Sequence, residues 1–523
     1  MKQYSRSLLG SSCCTTKNCS ECGFSGFNRR EFMAGLGGFA AGSTLLSPTA
    51  QASSNAVHKS GPNRIDPVRK ELVVQPVFIY GIQQRREGTS WRHWGGIHSE
   101  ADAAAEKDRI STELEKISAQ AQFPVEIRPL VSVKDTESAA RVSNNDHDVL
   151  IMYPAGGWVD TLEALTNPDK FTLMFLRHRS GPVYLWYEIV SNRFLRKTVD
   201  EFGQPGIDTR DIIVDHPAEL LWRLGALSGL KNTLDKKVLC IGGASGWGEG
   251  GRSAPDKTRE LFRMDLVDIS YEELGQRLKS ARENQELISL ANDQANRYLS
   301  QDGVTLETSR DFVEKGFLLT EVFYQLMAEH QADTITINQC MGTIMEVSKT
   351  TACLPLSLIN DAGCLAFCES DFVTIPSGIL LHYISGTPVF FQDPTYPHDG
   401  IVTLAHCTAP RKMDGETIEP ARLLTHFESD WGVAPKVEMK IGQEVTVVDP
   451  DFNFEKWMGF KAEIVDNPFL DICRSQVDVA YNCDTDTLNE ETRGFHWMLC
   501  YGDYLREMEY AVRKSGINWL TLA

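Results

Sequence analysis

Short apolar runs rich in β-branched and aromatic residues recur along this chain. Each closes on a turn signal before a stretch of helical periodicity begins. Residues 72–80 (LVVQPVFIY) run into Gly81, a long helical pattern covers 101–120, and a further strand is expected at 125–129. Residues 149–153 end in Pro154-Ala155-Gly156-Gly157, residues 183–186 follow a charged loop as another strand, and 218–230 reads as a helix. Strands alternating with helices at this spacing fold as a parallel sheet covered on both faces. A second unit opens at 237–243 (KVLCIGG), continues through a strand at 264–269, and carries expected surface helices at 271–279, 286–299 and 309–330. From Thr334-Ile335-Thr336-Ile337 onward the pattern changes to short strands and turns, at 400–405, 421–427, 437–439 and 445–448. The region 490–514 is expected to close the chain with a helix.

At 523 residues the chain exceeds what one hydrophobic core supports. The expected fold class is α/β: two Rossmann-like parallel-sheet domains, at 68–235 and 236–345, then a β-rich, barrel-like α+β domain at 346–523 that carries the chemistry. Residues 1–52 read as a signal peptide and 53–67 as a polar linker.

The signal-peptide reading rests on Asn28-Arg29-Arg30-Glu31-Phe32-Met33, which resembles the twin-arginine export signature. A weakly apolar, glycine-rich stretch at 34–46 follows, then Pro48 and the A-x-A site Ala50-Gln51-Ala52. The stretch is too short to span a bilayer. The expectation is therefore export to the periplasm by the twin-arginine machinery, with no stable membrane insertion. A net charge of −19 argues against nucleic acid or an anionic membrane as the main partner.

Two clusters invite a chemical reading and receive a bland one. Gly242-Gly243-Ala244-Ser245-Gly246 follows a strand, but the spacing is not G-x-G-x-x-G, so it reads as a tight turn at a strand end. Cys13, Cys14, Cys19 and Cys22 fall in the leader; the nine other cysteines are odd in number and irregularly spaced. They read as buried free thiols, because a zinc cluster from Cys353, Cys364, Cys368 and Cys407 lacks paired C-x2-C knuckles.

Residues 364–407 are more informative. Glu369 and Asp393 lie in two apolar segments joined by Ser385-Gly386-Thr387-Pro388, and Val389-Phe390-Phe391 leads directly into Gln392-Asp393-Pro394. A carboxylate where a buried strand emerges needs a metal, a cation or several donors. Each residue also has a plainer role open to it: Glu369 as a cap or ion-pair partner beside Ser370 and Asp371, Asp393 as a turn residue before Pro394, His496 as a core histidine.

In order and context these residues resemble the L-fucose isomerase family and, more distantly, the L-arabinose isomerases. Residues 238–274 (VLCIGGASGWGEGG…FRMDLVDISYEEL) are similar to that family's second-domain pattern. Glu369-Ser370-Asp371, Gly386-Thr387 and Phe391-Gln392-Asp393 resemble its E-N-D…T-G-T…F-A-D segment, with Glu369 and Asp393 separated by the same 24 positions. Gly494-Phe495-His496, followed by Gly502-Asp503, resembles its C-terminal Asn-His…Gly element. The first domain matches in architecture alone.

The resemblance implies a divalent metal, typically Mn²⁺, held by Glu369, Asp393 and His496. Glu369 and Asp393 would also be catalytic, moving a proton between C1 and C2 of an open-chain sugar through a cis-enediol. Oxygen ligands with one imidazole suit Mn²⁺ or Mg²⁺. It further implies a homo-oligomer. Gln392 stands where arabinose isomerases offer a second carboxylate, and His406 where they carry another histidine; His406 is expected as an additional ligand or a substrate contact. Trp91-Arg92-His93-Trp94-Gly95-Gly96 reads equally as a sugar-stacking loop or a packed aromatic loop. Three functions stay open: an aldose–ketose isomerase, a non-catalytic carbohydrate-binding descendant, and an exported epimerase or lyase using the same site.

Overall fold

The first six strands are β1 (Leu72–Ile79), β2 (Val125–Ile127), β3 (Val131–Val133), β4 (Val149–Pro154), β5 (Phe171–Leu176) and β6 (Ile212–Val214). They form one all-parallel sheet in the order β2-β1-β4-β5-β6, with β3 also on β1. Strand periodicity sorts their side chains: Leu72, Val74 and Phe78 enter one core, while Val77 and Ile79 enter another on the opposite face. In the computed structural model, residue 65, residues 67–197, residue 200 and residues 203–523 are described. The twin-arginine segment and its cysteines lie outside them, as does nearly all of the expected linker.

The strand expected at 183–186 is not there. Phe171–Leu176 takes that place in the sheet, and Trp186 instead opens a short helix, Trp186–Ile189, that runs into a π-helical turn at Val190–Leu195. The cause is a buried ion pair. Arg177 and Tyr184 both bond Glu106 of the helix Glu100–Gln120, and Arg177 also reaches Glu113 at 2.8 Å, which folds the intervening loop back over the sheet edge.

Five strands follow: β7 (Lys237–Ile241), β8 (Asp265–Ile269), β9 (Val304–Leu306), β10 (Thr334–Ile337) and β11 (Leu365–Phe367). All except β9 make a second parallel sheet in the order β11-β10-β7-β8. Thr334–Ile337 thus belongs to this sheet and does not open the β-rich region. Two helices also differ from expectation. The glycine-rich loop leads into an unexpected helix, Ala254–Phe262, with Pro255 in its first turn. Arg310–His330 is a core helix and not a surface one, because Phe317, Leu319, Val322, Phe323 and Met327 clothe most of its circumference.

The remaining strands are β12 (Phe390–Pro394), β13 (Ile401–His406), β14 (Ala421–His426), β15 (Trp431–Val437), β16 (Glu444–Asp449), β17 (Lys456–Asp466), β18 (Ser475–Tyr481), β19 (Trp497–Tyr501) and β20 (Asn518–Leu522). Six of them close an antiparallel barrel, β12-β13-β18-β17-β16-β19, in which pairing to β12 completes the ring. Closure removes the free edges of the sheet. Phe390, Val402, Leu404, Val447, Val479 and Leu499 share its core. Strands β9, β14 and β15 form a small separate sheet, and β20 adds to β17 in parallel. The single helix expected at 490–514 is therefore replaced by Thr485–Glu491, β19 and Leu505–Lys514. The Trp497–Tyr501 run is apolar throughout and is needed to close the barrel. Among the described residues no helix is long and apolar enough to cross a membrane.

Candidate metal centre

Where the second sheet meets the barrel, four of the singled-out side chains come together. Glu369 sits just past the C-terminal end of β11, Asp393 lies on β12, His406 ends β13, and His496 immediately precedes β19. Ligand atoms of Glu369, His406 and His496 all lie within 4.8 Å of one another. His496 Nε2 is 3.4 Å from Glu369 Oε2 and 3.2 Å from Asp393 Oδ1, and His406 Nε2 is 3.6 Å from Glu369 Oε1. Glu369 and Ser370 both adopt left-handed backbone, φ +62° and +50°, unusual for two successive non-glycine residues. Strand alternation separates neighbours on β12: Phe390 enters the barrel core and Phe391 the core outside it. Gln392 therefore shares Phe390's face and Asp393 shares that of Phe391, whose ring packs against His406 and His496.

Second partners orient the two imidazoles. Asp371, fully buried, accepts from His496 Nδ1 at 2.7 Å through Oδ2, while its Oδ1 accepts the Trp247 and Val373 backbone N–H groups. His406 Nδ1 lies 3.2 Å from Thr408 Oγ1. With Nδ1 held in each ring, both Nε2 atoms turn toward the carboxylates, and Asp371 gives His496 the carboxylate–histidine arrangement that commonly prepares a metal ligand. His496 Nε2 and Asp393 Oδ1 are buried and make no hydrogen bond of good geometry despite their proximity. Both atoms are free to take a further ligand. The chemistry of the donors, two carboxylates and two imidazoles, fits a hard or borderline divalent cation.

Charge within the cluster is uneven. Burial disfavours the ionised form of Glu369, yet His406 and His496 overcome this and hold its carboxyl well below the usual range. Burial pushes Asp393 the other way, upward, and the neighbouring charges of Glu369 and Asp371 add to it. Burial also opposes a charge on His496, but Asp371, Glu369 and Asp393 raise it to about 10. His406 is raised against burial by Glu369 and Asp393. A cation bound between the carboxylates would displace these imidazole protons.

A cleft of about 550 Å³ opens onto the cluster, lined by Trp247, Cys340, Met341, Glu369, Asp393 and Phe495 among others. The Trp247 and Phe495 rings stack with centroids 3.5 Å apart, and they remain 42% and 37% exposed. A larger cavity of about 680 Å³ near Lys70, His147 and Lys231 holds no such constellation; Lys70 is engaged by the Leu234 carbonyl, Lys231 by Asp148 and Lys514 by Asp211.

The glycine cluster after β7 contributes to the site, because Ser245 bridges Asp371 and Trp247 caps its carboxylate. The loop at 91–96 does not line the cleft. Gly95 and Gly96 pack on Val183 and Pro182 instead. Cys353, Cys364, Cys368 and Cys407 do not assemble: Cys353 and Cys407 pack with Cys473, Cys364 bonds the Ile65 carbonyl, and Cys368 neighbours Cys340. Sequence reasoning gave Asp371 no role although it lies in the quoted motif, and it missed Trp247, Phe495 and Cys340. A tryptophan set among glycines in GASGWGEGG was the available signal for the first of the three aromatic and thiol groups.

No family model matches the chain, and no curated protein does. Among solved structures it is similar to a conserved domain protein from Vibrio cholerae O1 biovar El Tor strain N16961. The identity is 12% and the TM-score 0.15, over 57% of this chain and 89% of that one, a likeness too slight to carry an argument.

Proposed function

We propose that this protein is a metal-dependent aldose–ketose isomerase of the L-fucose isomerase type, exported through the twin-arginine route. The observation that carries the reading is the meeting of Glu369, His406 and His496, whose ligand atoms all lie within 4.8 Å of one another, with Asp393 Oδ1 3.2 Å from His496 Nε2. Glu369, Asp393, His496 and His406 are the residues that would hold a divalent cation such as Mn²⁺, which when bound supplies Lewis-acid polarisation of a sugar carbonyl and its neighbouring hydroxyl.

The chain's own groups suit the rest of the reaction. Converting an aldose to a ketose moves a hydrogen from C2 to C1 and a hydroxyl proton from O2 to O1. Glu369, held ionised far below the usual range, is a weak base and is suited to ligating the cation and holding charge beside the reacting carbons. Asp393, whose carboxyl burial pushes up, is the more basic of the two and is suited to take the proton from C2 and return it at C1. Two carboxylates driven apart by their surroundings are the pattern of an acid and base pair. The stacked Trp247 and Phe495 offer an apolar face against which a sugar's C–H groups can rest.

The test uses the full chain and a panel of aldoses. Chelation should abolish turnover, Mn²⁺ should restore it, and the substrate's C2 hydrogen should exchange with solvent as ketose forms. Asp393→Asn should remove both metal and turnover. Full occupancy and rate in that variant would overturn the site. Exchange without ketose would make the protein an epimerase, and binding without exchange a carbohydrate-binding module.

A further inference from the structure

Beside the cluster of carboxylates and imidazoles lies a second set of ligating atoms. The thiols of Cys340 and Cys368 and a carboxylate oxygen of Glu369 all lie within 4.8 Å of one another. Both cysteines are free. They come from the C-terminal ends of adjacent parallel strands: Cys340 from the loop after β10, and Cys368 from the residue following β11. The backbone on both sides is turned sharply, with left-handed Gln339 before Cys340 and left-handed Glu369 and Ser370 after Cys368. Three strained non-glycine residues at two neighbouring strand ends hold these three side chains facing one point.

We propose that Cys340, Cys368 and Glu369 bind a second cation, Zn²⁺, and that the Glu369 carboxylate bridges it to the site formed with Asp393, His406 and His496. Two thiolates and a carboxylate suit zinc, whereas the neighbouring oxygen and imidazole set suits a harder ion. Zinc–sulfur bonds of about 2.3 Å at a tetrahedral centre place two sulfurs roughly 3.8 Å apart. The ligand atoms already lie within 4.8 Å of one another. Cys368 is buried, while Cys340 and Glu369 line the cleft, so three protein ligands would leave the fourth position toward a water or substrate, as in zinc sites that act on ligands. Cys353 adjoins Cys368 as well as Cys407 and Cys473, but it lies outside the group whose ligand atoms meet. The thiolate pair stands on its own geometry, while the Glu369 bridge rests on the neighbouring cluster being a metal centre.

Metal content and Co²⁺ spectra of the full chain, prepared under reducing conditions, test it. Saturated protein should hold two ions, and the Co²⁺ form should show a thiolate charge-transfer band in the near ultraviolet. Cys340→Ser, at the more accessible position, should lose that band and one ion while keeping the other. Asp393→Asn should keep the band and lose the ion of the harder site, so failure of either site is read independently. A single ion without a thiolate band in the parent protein would overturn the proposal. So would an unchanged band in Cys340→Ser, or the two cysteines recovered as a disulfide.

Discussion

His496 is useful through what binds its far side. Asp371 accepts from Nδ1 at 2.7 Å and is itself held by two backbone N–H groups, so the carboxylate has little freedom to reorient. Replacing it with Asn puts an amide NH₂ where one of those acceptors stood. Either the ring loses its anchor or the Trp247 and Val373 donors lose theirs. Asp371→Asn should therefore weaken metal binding by about 10–100-fold, with turnover recovered at saturating metal, as losses of such outer partners do. Competition against a graded chelator measures this, and an unchanged affinity would leave Asp371 with a purely structural role. Gln392 illustrates the converse. One position along β12 is enough to turn it away from the cluster that Asp393 faces.

At the scale of elements, the loop between β7 and the helix Ala254–Phe262 carries Trp247 to the site. It closes on itself at Gly246, where a Cβ would lie 2.0 Å from the Gly251 carbonyl oxygen and 2.7 Å from its carbon. Backbone cannot swing aside as a side chain can. Gly246→Ala should cost about 1–3 kcal/mol in denaturant unfolding, the usual penalty of overpacking. The same variant should raise KM more than it lowers kcat, because Trp247 would lose its hold on Asp371 and its stack on Phe495. A variant as stable as the parent with unaltered KM would show that the loop does not position the site. These glycines were read from sequence as a turn at a strand end. That Ser245 and Trp247 of the same segment also dock on Asp371, more than a hundred residues away in the chain, required the fold.

For the molecule as a whole, the clustered charges link stability to pH. His496 is raised from 6.5 to about 10 in the folded state, so its protonated form stabilises the metal-free fold fully below 6.5. That contribution is lost as pH rises from about 6.5 through about 10. The raised His406 acts in the same direction. Thermal unfolding of chelator-treated protein should show Tm falling across this window. Metal-loaded protein should resist the fall, since cation binding strengthens as the imidazoles give up their protons. A Tm that is flat or rising across the window in the metal-free form would contradict the charge assignment.

Local pattern alone determined much of this protein. Alternating apolar runs and helical stretches announced two parallel sheets, and the short strands from residue 400 onward announced a mixed or antiparallel β region, because strand and helix periodicities are written in neighbouring residues. Glu369 and Asp393 were legible as candidates because carboxylates in apolar segments are costly unless used, whereas His406 and His496 entered only through the resemblance to sugar isomerases. Tertiary structure decided what neighbouring residues cannot encode. The buried Arg177–Glu106 pair turned an expected strand into a loop and helix, and barrel closure drew β19 out of an expected helix. Asp371, Trp247 and Cys340 gained their places at the site only when separate strand ends were brought side by side. Such contacts depend on which surfaces of distant segments meet, and that is settled by packing the whole core rather than by any local run of sequence.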